Sequence, residues 1–126
     1  MATITLTTEN LESVITGNDT VLVDFWAAWC GPCRAFGPVF DAASESHDDI
    51  VFAKVDTEAQ PQLAAMFGIT SIPTLVAFRE TVMVYGEAGA LPAPELEKLI
   101  GALSALDMDE VHRQVAQAAT AEASSA

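Results

Sequence analysis

Apolar residues recur along this chain in two rhythms, one alternating or continuous and one of helical period, and the changes between them mark its elements. Residues 3–6 alternate Ile4 and Leu6 with threonines, which suits a short strand. After Thr8 the spacing of Leu11, Val14 and Ile15 is helical, and Gly17 with Asn18 closes that segment. Residues 20–27 (TVLVDFWA) are nearly continuous in apolarity and rich in β-branched and aromatic side chains, the composition of a strand buried on both faces. Over 33–46, Phe36, Val39, Phe40 and Ala43 lie at helical spacing, and Pro38 is expected to bend the axis because it removes a hydrogen-bond donor.

A further strand is expected over 50–55, then a helix over 60–67 with Leu63, Ala64 and Phe67 on one face and Gly68 placed to cap it. Residues 74–78 and 82–85 read as two strands joined by a short turn around Arg79 and Glu80. Gly86 and Gly89 are expected to bracket a loop, after which Pro92 or Pro94 starts a helix carrying Leu96, Leu99, Ile100 and Leu103 along one stripe. The order β-α-β-α-β-α-β-β-α predicts an α/β domain with parallel strands joined by right-handed crossovers and an antiparallel pair at one edge. Residues 107–126 differ: Ala, Ser and Gln dominate, and only Met108, Val111 and Val115 offer much to bury. Asp107 and Glu110 make a capping-box-like start there. The expected division is a domain over 1–106 and a helical or flexible extension over 107–126, frayed rather than a docking element.

Composition narrows the partners. A chain of 126 residues, 51% hydrophobic, suits one domain with an ordinary core and no metal or disulfide staple. Five Lys and Arg against eighteen Asp and Glu leave a net charge of -13, which repels nucleic-acid phosphates and anionic lipid headgroups. No nucleic acid or membrane partner is expected. The acidity serves solubility in the first instance, with attraction to a basic partner surface as the functional alternative. The first eleven residues hold no Lys or Arg and no sustained apolar run, and no segment nears the ~20 apolar residues of a membrane span, so a cytoplasmic protein is expected.

In a reducing interior two cysteines are more often catalytic or metal-binding than structural. Cys30 and Cys33 stand three apart between a strand and a helix, a spacing that lets two sulfurs come within disulfide reach if the local backbone permits, and Gly31 and Pro32 suit the tight turn this needs. Near the helix N-terminus, unpaired amides and the positive end of the dipole stabilise a thiolate, which makes Cys30 the expected nucleophile and places Cys33 deeper. A structural zinc site needs four ligands, and only His47 and His112 are added to the pair. A structural disulfide here closes too short a loop to constrain much. Asp24 lies inside the apolar strand, where burial of an ionised carboxylate is costly, so its pKa is expected to rise and it becomes a candidate for moving protons. Lys54 holds a similar inward position on the next strand, and if it reaches Asp24, directly or through water, it tunes that acid.

The motif Trp29-Cys30-Gly31-Pro32-Cys33 resembles the active site of the thioredoxin family, and Val23-Asp24-Phe25-Trp26-Ala27 is similar to that family's preceding strand. Pro38, Ala53-Lys54-Val55-Asp56, Gly68-Ile69, Ile72-Pro73-Thr74 and Gly89-Ala90-Leu91 also resemble family positions in order, over roughly residues 3–106. The resemblance implies a thioredoxin fold, a central mixed sheet of about five strands flanked by about four helices. It implies a protein-disulfide reductase with a redox-active Cys30–Cys33 disulfide, no bound cofactor, and proton exchange between Asp24 and Cys33. By resemblance Pro73 is cis and faces the cysteines, leaving the Ile72 backbone free for an extended substrate segment. Trp29, Gly31, Pro32 and Gly89 are then substrate contacts. Electrons are implied to come from NADPH through a flavin-dependent thioredoxin reductase, with disulfide-containing proteins as targets and a monomer as the working form. A disulfide oxidase or isomerase, and a binding subunit gripping partners through Trp29, Ile72 and Gly89 without turnover, are the competing readings.

Overall fold

In the computed structural model, which describes residues 3–125, the continuous apolar run near the start of the chain becomes the central strand of a five-stranded sheet. The strands are β1 (Ile4–Thr5), β2 (Thr20–Trp26), β3 (Val51–Asp56), β4 (Thr74–Arg79) and β5 (Val82–Ala88), in the order β1-β3-β2-β4-β5. β3 runs parallel to both β1 and β2, whereas β4 is antiparallel to β2 and β5, so the sheet is mixed with its antiparallel pair at one edge. The helices are α1 (Leu11–Thr16), α2 (Gly31–Ser46), α3 (Pro61–Met66), α4 (Ala93–Ser104) and α5 (Met108–Ser125). Four of them belong to the expected fold, and the fifth lies wholly in the C-terminal extension.

Successive β2 side chains point to opposite faces, which splits the core into two layers. Leu22 packs with Phe36 and Phe40 of α2 and with Leu96, Ile100 and Leu103 of α4. Val21, Val23 and Phe25 pack on the other side with Leu6 and Leu63 and with the α1 residues Leu11, Val14 and Ile15. Phe40 meets Phe52 edge-on, ring centroids 5.2 Å apart. Each such side chain, fully buried, contributes about 1.5–3 kcal/mol. By the same alternation Asp24 lies on the α2 side, in line with Leu22.

Several boundaries differ from the sequence expectation. α2 begins at Gly31, because Pro32 fits the first helical turn, where a missing N–H leaves no bond unmade. Gly86 lies inside β5, paired with Val76, so the loop begins only after Ala88. The β4–β5 connection uses Glu80 and Thr81, both at positive φ (48° and 69°), while Arg79 is still in the strand. Two left-handed residues match the twist of a tight hairpin, and the strain is offset by anchors: Glu80 N–H donates to the Asp19 carbonyl at 2.8 Å, and Arg79 binds the Asp19 carboxylate at 3.0 Å and the Leu103 carbonyl.

In the extension, the Asp107 carboxylate accepts from Glu110 N–H at 3.2 Å and starts α5. Met108 is buried, and His112 reaches Glu80 of the hairpin turn at 2.8 Å. Met108→Ala is therefore expected to lower the unfolding free energy by about 2 kcal/mol, and His112→Ala by no more than about 1 kcal/mol, in urea titrations. Equal effects of the two substitutions would show that α5 is not anchored through its first apolar residue.

Candidate active site

The end of β2 hands the chain to a short connection, and Cys30 closes it by donating its N–H to the Ala27 carbonyl at 3.2 Å. Cys30 is the N-cap of α2: its backbone is extended (φ -84°, ψ 115°) and its Sγ accepts the Cys33 N–H at 3.2 Å. That contact aims an otherwise unpaired helix amide at the sulfur, which favours the thiolate whenever the sulfur is reduced. Cys30 and Cys33 are joined as a disulfide, with Cα atoms 5.2 Å apart. The expected contrast between a solvent-facing Cys30 and a deep Cys33 is not present in this oxidised form, since the residues are 4% and 3% exposed. The two differ in backbone position instead: Cys30 caps the helix, and Cys33 sits inside its first turn. Gly31 and Pro32 form that first turn, and a Cβ added at Gly31 would meet nothing within 4 Å, so the surface before the sulfurs is open.

Ile72 packs against the cysteine pair together with Ala27 and Trp26. Its carbonyl oxygen lies 3.7 Å from Cys30 Sγ, and its N–H donates to no group among the described residues. The Ile72–Pro73 peptide is cis, as the resemblance implied. The Pro73 carbonyl accepts the Gly89 N–H at 2.7 Å, and Gly89 takes φ +113°, a conformation that excludes an ordinary side chain there. Trp29 is 66% exposed and borders a depression shared with Thr57, Ala64, Ile69 and Ile72. The structure thus gathers Trp29, Cys30, Gly31, Pro32, Cys33, Ile72, Pro73 and Gly89 at one end of the sheet. Trp26 lies beneath, its carbonyl accepting the Thr57 N–H at 2.9 Å and hydroxyl at 3.1 Å.

Asp24 is buried on the same side of the sheet as α2, and its Oδ1 has no hydrogen-bond partner among the described residues. Burial raises its pKa from 3.8 to about 7, against the opposing pull of the Lys54 charge and with a further push from Asp41. Lys54 stands directly across from Asp24 in the β2–β3 register, yet its ammonium binds Asp41 of α2 at 3.0 Å and lies 6.0 Å from the centre of the Trp26 ring. The direct form of the expected contact with Asp24 is therefore not made among the described residues; Lys54 acts on Asp24 through its field. Asp41 is the residue that sequence reasoning missed. Its signal was available, since α2 contains only two acids, Asp41 and Glu45, to answer a lysine on the strand below.

The two histidines bind glutamates, His47 to Glu97 at 2.9 Å and His112 to Glu80 at 2.8 Å. Among the described residues no group of three or more His, Cys, Asp or Glu could hold a metal ion, and no helix is long and apolar enough to cross a membrane.

A family model described as Thioredoxin matches residues 2–102. A Streptomyces coelicolor protein assigned as thioredoxin 2 is 55% identical over 116 residues, covering 92% of this chain and 87% of that protein. Thioredoxin of Alicyclobacillus acidocaldarius is 45% identical over 97 residues, 76% of this chain and 92% of its own. Among solved structures, a mutant thioredoxin from Halobacterium salinarum superposes with a TM-score of 0.77 at 33% identity, covering 83% of this chain and 93% of that one. Matches of this extent, on a sheet that carries a Cys-Gly-Pro-Cys pair at its helix cap, show that the chain belongs to the thioredoxin family of thiol-disulfide oxidoreductases.

Proposed function

We propose that this chain reduces protein disulfides by a two-thiol exchange in which Cys30 attacks and Cys33 resolves. The observation that carries the assignment is the cap itself: the Cys33 N–H points at Cys30 Sγ, so of the two sulfurs Cys30 holds a negative charge at lower cost. Cys30 thiolate forms a bond to one sulfur of the target disulfide, and the other target sulfur leaves as a thiolate. Cys33 then gives its proton to the Asp24 carboxylate and, as a thiolate, attacks Cys30 Sγ. The second target sulfur leaves, the protons held by Asp24 and solvent complete both target thiols, and the Cys30–Cys33 disulfide carries the two electrons' worth of oxidation. An acid near pKa 7 suits the transfer, since it is half ionised at neutral pH and accepts from a thiol without retaining the proton.

An extended target segment pairs with the free Ile72 backbone, with Trp29, Gly31, Pro32, Pro73 and Gly89 around it. The Cys30–Cys33 pair is the redox group, and the cycle is closed by a flavin-dependent thioredoxin reductase that draws on NADPH. Residues 1–106 carry this chemistry, as a monomer in the cytoplasm, where thiols are kept reduced. The test supplies purified chain with thioredoxin reductase, NADPH and a disulfide-bonded protein. Catalytic NADPH oxidation matched by target thiols is expected. NADPH loss no faster than with reductase alone would overturn the reductase reading in favour of the binding-subunit or the oxidase or isomerase reading.

A further inference from the structure

We propose that Asp41 is a positioning residue for the exchange: it holds the Lys54 ammonium against α2, so that the buried Asp24 carboxyl keeps an unpaired oxygen with which to take a proton. The inference rests on the reading of Asp24 as proton acceptor, and adds to it the device that keeps Asp24 available. Three observations converge. Lys54 faces Asp24 across the sheet, near enough for a flexible four-carbon stem to choose between them, yet the ion pair it makes is with Asp41 Oδ1 at 3.0 Å. Asp24 Oδ1 is left without a hydrogen-bond partner among the described residues although it is buried. The ammonium also lies against the α2 backbone at Gly37, where a Cβ would stand at an ordinary contact distance of 3.9 Å from Nζ, so the ion pair is made on the helix surface.

The consequence follows from the chemistry of a buried carboxyl. Bonded directly to an ammonium in the core, Asp24 would be held ionised and become a weak base toward a thiol. With Lys54 drawn off, Asp24 feels only its field. β4 presents Leu75 directly across from Asp24, and the apolar layer on this side of the sheet is built from Phe36 and Phe40 of α2 and Leu96 of α4, with Tyr85 of β5 packed against it. The charged groups that act on Asp24 are Lys54 and Asp41; the thiols of the reduced Cys30–Cys33 pair are the further titratable groups at that end of the sheet. Asp41 is half exposed, so its neutral replacement leaves the core intact.

The experiment titrates the Asp24 carboxyl by carbon-13 NMR in the reduced protein and follows the pH profile of mixed-disulfide resolution in rapid mixing. Asp41→Asn is expected to lower the Asp24 midpoint by about one pH unit and to carry the rate profile with it, and Asp41→Glu to restore both. In a Lys54→Met background the same Asp41→Asn change should move the midpoint by less than half as much, because the lysine that Asp41 restrains is gone. An unmoved midpoint in Asp41→Asn, or an equal shift with and without Lys54, overturns the proposal. A rate profile that stays unchanged in Asp24→Asn, while the Asp41→Asn midpoint still shifts, removes the proton-acceptor reading and upholds Asp41's hold on Lys54.

Discussion

Cys33→Ser should stop the cycle halfway, leaving the target covalently bound to Cys30. Attack by Cys30 does not need the second sulfur, so the mixed disulfide forms, but its release then depends on thiols from solution instead of one held a single helical turn away. Positioned groups act with effective molarities far above the millimolar range of free thiols, so steady-state reduction is expected to fall by at least about 10³-fold. Mass spectrometry of the stalled protein should find the adduct on Cys30. Cys30→Ser should lose activity to the same extent and accumulate no adduct. Adducts on Cys33 in the Cys30→Ser protein, formed as fast as those on Cys30 in the converse variant, would reverse the order of attack argued from the helix cap.

Replacing Asp24 by Leu should make the protein slower and, above neutral pH, more stable. In the unfolded chain this carboxyl titrates near 3.8, and in the fold burial moves it to about 7. Folding therefore favours the protonated form: below the unfolded value the group imposes no penalty, and stability is lost as pH rises from there through the folded value. The full loss, reached above about pH 7, is up to about 4 kcal/mol. Asp24→Leu removes it, so urea unfolding at pH 8 should show a gain of that order, falling to little more than the packing difference near pH 4. Resolution of the mixed disulfide should slow by about one to two orders of magnitude, the share a general base contributes when the thiol still ionises on its own to a few per cent. A gain in stability that is the same at both pH values would mean that Asp24 is not buried in its charged form.

That a group held at such a cost stands in the strand leading to the cysteines is the physical case for its function: a leucine would fit the face shared with Leu22 and Leu75. The same reasoning explains why Lys54 is present. A cation on the neighbouring strand lessens the penalty on Asp24 without removing its proton affinity, provided that the ion pair itself is made elsewhere.

By itself the sequence determined the elements and singled out the candidate reacting atoms. Period and composition set β2, α2, α3 and α4 to within a few residues, because burial of one face or both is a local demand written into each segment. The Cys-Gly-Pro-Cys spacing before a helix marked the thiols, and an acid inside an apolar strand marked Asp24. Tertiary structure alone decided what lies between elements. Lys54 had two carboxylates in reach, and only the packing of α2 over the sheet selects Asp41. Gly86 reads as a loop residue until its pairing with Val76 extends β5, and the hairpin needs Asp19 and Leu103 from elsewhere to hold two residues at positive φ. Ile72 gains its place by Cys30 across 42 residues of chain. Periodicity records whether a side chain is buried; which partner it meets depends on the reach of side chains across elements, which no local pattern encodes.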